Sequence, residues 1–204
     1  MTSNENKIAA AALDTEKQIT DLFIAQCETP VDLEEINLSR LTPFQRALLV
    51  TDGTVTRFLE AYTLSPVKIV LLKQEMETLP ANHEWLKAKK GTEVIRRQVS
   101  LQTLNCTAQP PTIHTYATSL IVLSRTPTII REGLALQSDG LGTLLQRSGL
   151  ETRRDLLWCG VERPVDLPAG LANLEETAFL TRTYRIVSDG QPIMLINERF
   201  PMCS

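Results

Sequence analysis

The chain has 204 residues, 43% of them apolar, and a net charge of −3, enough for one substantial core and too little for two. Charged residues make up 22% and are nearly balanced, so no broad positive field exists to hold a nucleic-acid backbone. The four cysteines, at 27, 106, 159 and 203, form no C-x-x-C pair and have only His83 and His114 to join them, which argues against a metal site or disulfide framework and for a reducing compartment.

Residues 1–12 read as a frayed terminus, leaving a single domain over 13–204. "MTSNENKIAAAALDTEKQ" lacks the basic start and long apolar run of a signal peptide, and nothing in the chain approaches a membrane span. A cytoplasmic protein is expected. From about Asp14 to Gln26, Ile19, Leu22, Phe23 and Gln26 follow helical spacing, with Asp14 or Thr15 as cap. "LSRLTPFQRALLV" (38–50) starts a second helix: Thr42 can cap it, Pro43 suits its first turn, and Phe44, Leu48 and Leu49 form its apolar stripe. "TDGTVTRFLEAY" breaks at Asp52-Gly53 and restarts with Val55, Phe58, Leu59 and Tyr62 on one face.

The period then changes. "PVKIVLLKQEME" (66–77), "TEVIRRQVSLQTL" (92–104) and "TIHTYATSLIVLS" (112–124) are β-branched runs without helix caps. The stretch 126–150 returns to helical composition, interrupted near Ser138 to Gly140. Three further strands are predicted at 152–163, 179–189 and 191–200, and the last two flank Asp189-Gly190, a strong hairpin signal. About six strands, with helices in groups rather than in alternation, predict an α+β fold. Its sheet is mostly antiparallel, with helices on one side.

Side chains alternate between faces along a strand. In 94–101, Ile95, Arg97, Val99 and Leu101 share an otherwise apolar face, while Arg96 sits with Gln98 and Ser100. In the last strand Glu198 interrupts Met194, Ile196 and Phe200. A charge in such company costs several kcal/mol unless it is paired or hydrogen-bonded. One reading is a structural Arg97–Glu198 salt bridge. The other is a pocket in which Arg97 receives an anionic group and Glu198 acts on a neutral or protonatable one. Arg182 and Arg185, on opposite faces of "LTRTYRI", are further cationic candidates. Arg153-Arg154 reads as solvated rim, and His114 has no nucleophile or acid arranged around it. Gly140 and Gly142 precede a helical run, so their backbone N–H groups can approach an anion, although the spacing and lysine of a phosphate loop are missing.

Taken in order, "LTPFQRALLVTDGTVTRFLE" (41–60), "VIRRQVSLQT" (94–103), "YATSLIVL" (116–123), "GLGTLLQ" (140–146) and "YRIVSDGQPIMLINERFP" (184–201) resemble the chorismate pyruvate-lyase family and its lyase-like relatives. The resemblance implies a single-domain lyase that converts chorismate to 4-hydroxybenzoate and pyruvate without metal or organic cofactor. Its ligand would lie beneath helical flaps drawn from 42–62 and 126–148, and the aromatic product would be held tightly. By the family's pattern, Arg97 binds a substrate carboxylate and Glu198 lies in the active site. Glu198 would either donate toward the departing enolpyruvyl ether or hydrogen-bond the C4 hydroxyl. The ring carboxylate falls to Arg97 or the 140–142 backbone, and the second carboxylate to Arg182 or Arg185. The rival readings are a lyase acting on another enolpyruvyl substrate and a stand-alone domain that binds an aromatic carboxylate, related to the effector domains of bacterial transcription regulators; residues 1–40 supply too little to build a helix-turn-helix module.

Overall fold

The computed structural model describes residues 3–104, 110–136, 140–164 and 166–202. Cys106, Cys203 and most of the predicted break at Ser138 to Gly140 lie outside the described residues. All six predicted strands are present and shifted by at most two residues: β1 (Val67–Thr78), β2 (Glu93–Thr103), β3 (Thr112–Val122), β4 (Arg153–Glu162), β5 (Phe179–Ser188) and β6 (Gln191–Pro201). They form one antiparallel sheet in the order β1-β2-β3-β6-β5-β4. The β5–β6 turn is the expected Asp189-Gly190 pair, both residues at positive φ (49° and 73°). That is the conformation a two-residue hairpin needs to match strand twist.

Two helical pairs lie against one face. The first is α2 (Pro43–Val50) with α3 (Val55–Thr63), and the second is α4 (Thr128–Leu136) with α5 (Leu141–Ser148); the earlier α1 (Ser3–Thr20) is discussed below. Thr42 caps α2 as anticipated, in a reciprocal box: its hydroxyl accepts from Gln45 N–H and the Gln45 side chain accepts from Thr42 N–H. Each pair brings its own apolar stripe to the sheet. Leu48, Leu49, Val55 and Leu59 pack with Leu101, Leu180 and Phe200. Ile130, Leu134, Leu144 and Leu145 pack with Ile95, Ile121, Tyr184, Ile186, Met194 and Ile196. The sheet is therefore covered by two separate apolar clusters with a seam between them.

The N-terminal region departs from expectation. The first helix, α1, ends at Thr20 instead of continuing to Gln26. Phe23 and Ala25 are buried because the chain after α1 runs beside β4, which would otherwise be an open edge. Ile24 and Ala25 N–H donate to the Leu156 and Leu157 carbonyls at 3.0 and 2.9 Å. The Gln26 side-chain amide then stands in for a peptide group: Nε2 donates to the Cys159 carbonyl at 2.8 Å, and Oε1 accepts from Cys159 N–H at 2.9 Å. Glu34 and Val161 exchange both backbone bonds, at 2.8 and 2.9 Å.

This close approach requires Gly160, where a Cβ would fall 2.4 Å from Leu33 Cγ and 2.8 Å from the Glu34 carbonyl oxygen. A Gly160→Ala substitution is expected to lower stability by about 1–3 kcal/mol through overpacking, read by urea unfolding. Unchanged stability would mean that residues 24–34 do not hold this position on β4.

Candidate active site

The register across the sheet brings distant residues together on the helix-covered face. One row runs Gln74–Arg97–Ser119–Ile196–Tyr184–Leu156, and the next runs Leu71–Val99–Ala117–Glu198–Arg182–Cys159. The central strand contributes only Ser119 and Ala117 to these rows. Such small side chains leave space above the middle of the sheet, and a cavity lies there, in the seam between the two apolar clusters. Val99, Leu101, Tyr184, Ile186 and Ile196 supply apolar wall from the sheet; Val55 and Leu145 supply it from the helices. The polar corners are Arg97, Ser119, Arg154 and Glu198, and the start of α5 (Gly140 to Thr143) faces the cavity as well.

The two charges that alternation singled out both line this cavity. Arg97 is 2% exposed and Glu198 7%, whereas Arg96 reaches the opposite, wet face and pairs with Glu77 at 2.7 Å. Glu198 is held by Arg182, its neighbour on β5. Arg182 Nε donates to Oε2 at 2.8 Å, Nη2 lies 2.8 Å from the same oxygen, and the Tyr184 hydroxyl donates to Oε1 at 3.1 Å. Glu198 is thus in a salt bridge with Arg182 rather than with Arg97, the pairing considered from sequence. Burial, reinforced by the Glu198 carboxylate, pushes the Tyr184 phenol above its ordinary range, so the hydroxyl stays a donor.

Arg182 is fully buried. Its Nη1 donates to main-chain oxygens at the end of α2, the Leu49 and Thr51 carbonyls, at 3.0 and 2.8 Å. Its guanidinium also sits 5.2 Å from the centroid of the Tyr184 ring, within cation–π range. Arg97 has a different setting. Nη1 lies 3.4 Å from Gln74 Oε1, and Gln74 Nε2 donates to the Leu134 carbonyl of α4 at 3.0 Å. The guanidinium is thereby aligned by a neutral amide tied to the second helical pair. Burial lowers its pKa from the usual arginine value, the sign of a cation partly stripped of water.

Arg185 is not brought to the cavity. It leaves the opposite face of β5, where Nε donates to Asp155 Oδ2 at 2.9 Å, and Arg153 donates to Oδ1 of the same carboxylate at 2.8 Å. Burial works to raise the Asp155 pKa, but these two arginines together hold it below its ordinary value. Arg154, read from sequence as solvated rim beside Arg153, belongs instead to the cavity wall. It pairs with Ile186 across the β4–β5 ladder, on the face of Tyr184 and Arg182. Alternation says that Arg153 and Arg154 point opposite ways, though not which of the two meets the helices. His114 is engaged by Thr103, with Nε2 2.8 Å from Oγ1, and does not line the cavity.

The two helical pairs touch above the cavity. A Cβ on Gly142 would fall 2.5 Å from Thr54 Cγ2, just ahead of α3, and one on Gly140 would fall 2.3 Å from Ile69 Cδ1 of β1. Arg57 of α3 donates to Gln146 of α5 at 2.7 Å. Both glycines are therefore packing residues as well as cavity lining. Among the described residues no three His, Cys, Asp or Glu side chains cluster as metal ligands, and no helix is long and apolar enough to cross a membrane.

A six-stranded antiparallel sheet with helices packed on one side defines an α+β single domain. This architecture is shared with PhnF from Mycobacterium smegmatis, at a TM-score of 0.56 and 15% identity, over 74% of this chain and 65% of that one. Sequence comparison is more specific. The family model described as "Chorismate pyruvate-lyase Rv2949c-like" matches residues 49–204, a span that contains every cavity-lining residue. The chain is 29% identical over 178 residues to the chorismate pyruvate-lyase of Mycobacterium tuberculosis, covering 82% of this chain and 84% of that protein. It is 27% identical to that of Mycobacterium leprae, covering 76% and 72%. The chain belongs to the chorismate pyruvate-lyase family of the Rv2949c-like type.

The buried ion pair makes a specific claim on stability. Arg182→Met is expected to cost about 3–5 kcal/mol, because it leaves Glu198 buried without its cation. Arg182→Met with Glu198→Leu should recover a large part of that loss. Denaturant unfolding of the single and double variants measures both, and equal stability of the two would contradict the coupling.

Proposed function

We propose that this chain is a chorismate lyase whose active site is the cavity between the sheet and the two helical pairs. Chorismate is cleaved there to 4-hydroxybenzoate and pyruvate. The observation that carries the reading is the convergence of Arg97 and the Glu198–Arg182–Tyr184 cluster on one cavity, in a chain of this family.

The chemistry is an elimination. The bond from ring carbon C3 to the enolpyruvyl oxygen breaks, the C4 hydrogen is lost, and the diene becomes an aromatic ring whose C4 hydroxyl is the phenol. The departing enolpyruvate takes up a proton at its methylene carbon and leaves as pyruvate. In this reading Arg97 receives the ring carboxylate, for which a planar guanidinium gives two parallel hydrogen bonds. The first N–H groups of α5, at Leu141 to Thr143, face the same space and have no intrahelical acceptor. Glu198 already accepts from Arg182 and Tyr184, so its role toward the substrate is to accept a hydrogen bond from the C4 hydroxyl. That bond strengthens as the hydroxyl acquires phenolic acidity. The apolar walls hold the ring and exclude water, and much of the acceleration comes from orienting a reaction that is driven by aromaticity. The retained product would make these same contacts.

Purified protein mixed with chorismate should release pyruvate and 4-hydroxybenzoate in equal amounts, followed by a coupled dehydrogenase assay and by chromatography. A rate no higher than that of chorismate alone sinks the reading, even if the protein binds 4-hydroxybenzoate. Arg97→Ala is expected to weaken 4-hydroxybenzoate binding about 10–100-fold, the worth of a charged hydrogen-bond pair, with little change in melting temperature. Lost stability with unchanged binding would return Arg97 to a purely structural role.

A further inference from the structure

Chorismate carries two carboxylates, and the reading above accounts for one. Of the arginines considered for the second, Arg182 is committed to Glu198 and to two main-chain carbonyls, and Arg185 is tied to Asp155 on the other face of the sheet. We infer that Arg154, on β4, reads the enolpyruvyl carboxylate and thereby distinguishes substrate from aromatic product. The inference rests on the lyase reading and extends it to a residue outside the Arg97 and Glu198–Arg182–Tyr184 groups.

Several observations support this assignment. The Arg154 side chain is only 18% exposed, low for an arginine at the first turn of an edge strand. Its Nη1 donates to the Asp52 main-chain oxygen at 2.5 Å, and Asp52 Oδ1 is farther, at 3.7 Å. Asp52 itself is 86% exposed, so water screens this ion pair and leaves most of the Arg154 charge uncompensated. The Arg154 Nε is buried and has no hydrogen-bond partner among the described residues, a costly state for a charged donor. Lastly, the guanidinium stands 6.0 Å from the Tyr184 ring centroid, above the group that donates to Glu198.

Position adds direction. Arg154 lines both the inner cavity and an adjoining outer groove with Arg57, Phe58 and Gln146, and the two spaces share Gly53, Thr54, Gly142 and Leu145. Arg97 stands on β2 and Arg154 on β4, four strands apart, about 19 Å between backbones at ordinary strand spacing. Their long side chains approach from opposite ends. A ring carboxylate at Arg97 therefore directs the rest of the substrate across the low floor at Ser119 and Ala117, toward Tyr184 and Arg154. The enolpyruvyl group lies at the end where the cavity meets the groove, and pyruvate departs on that side. The product 4-hydroxybenzoate has no second carboxylate and makes no use of Arg154.

The test compares two ligands. Arg154→Gln is expected to raise the KM for chorismate about tenfold or more, while the inhibition constant of 4-hydroxybenzoate stays within about twofold. Arg154→Lys, which keeps the charge but not the planar fork, should fall between wild type and Gln. It also serves as the deciding variant if Arg154→Gln does not fold. Unchanged KM in the folded variants overturns the assignment. So does an equal loss of chorismate and 4-hydroxybenzoate affinity, which would make Arg154 a general architectural residue. Wild-type turnover is measured alongside: its absence sinks the lyase reading itself, whereas active wild type with indifferent Arg154 variants sinks only this inference.

Discussion

The buried pair between Arg182 and Glu198 is the interaction on which the arrangement depends. Two opposite charges inside a protein stabilise it only when nearly every donor and lone pair is used, and here they nearly are. Glu198 takes the Arg182 guanidinium on one oxygen and the Tyr184 hydroxyl on the other. The second branch of Arg182 meets the Leu49 and Thr51 carbonyls. These lie at the C-terminal end of α2, where main-chain oxygens lack intrahelical partners and carry the negative end of the helix dipole. One side chain is thus at once counter-ion to the cavity's carboxylate and cap to a helix of its roof. Floor and roof are fastened at the same point.

That fastening explains why a cavity can persist in a domain of this size. Close packing would normally draw the helices onto the sheet until the space was filled. Two separate apolar clusters anchor the helical pairs on either side, and Ala117 and Ser119 leave the floor low between them. Thr54 and Gly142 keep the two roofs in contact. Apolar burial thus holds the helices to the sheet on both flanks, and the gap between the clusters carries the polar groups.

What could be read from the sequence follows the range of each interaction. Strand alternation is local, so Arg97 and Glu198 were visible as charges in apolar company, and the Asp189-Gly190 turn marked the β5–β6 hairpin. Thr42 and Pro43 likewise announced the start of α2 from adjacent positions. Strand order is not local. The partner of Glu198 is set by β5 lying beside β6 with β3 on the other side, and nothing within either segment encodes that. The same applies to the arginines of β5: alternation placed Arg182 and Arg185 on opposite faces but could not say which face meets the helices. Arg154 was obscured differently. Its strand is irregular, with a register shift between Leu156 and Trp158, so the face of its first residues could not be projected from its apolar centre. The chain after α1 misled because Phe23 and Gln26 fit a helical stripe, yet each is spent on β4, by burial and by a side-chain amide in the place of a peptide bond.

The charges around the cavity form a balance of their own. Arg182 is neutralised by Glu198, whereas the nearest carboxylate to Arg154 is the exposed Asp52, 3.7 Å away, which leaves an excess of positive charge at the cavity's outer end. In a medium that screens poorly, such an excess is unfavourable alone and strongly favourable with a ligand of equal and opposite charge. Chorismate is a dianion, and in the proposed reading its second carboxylate is the one that meets Arg154. The elimination then divides that charge between two monoanions, one aromatic and one small. Only the aromatic one can use the ring-binding walls together with Arg97 and Glu198. The smaller product is left with Arg154 at the edge of the outer groove, where water competes for the same guanidinium. In the proposed reading, the charge arrangement that favours binding of the intact substrate therefore also favours an order of release, with pyruvate leaving before the phenol.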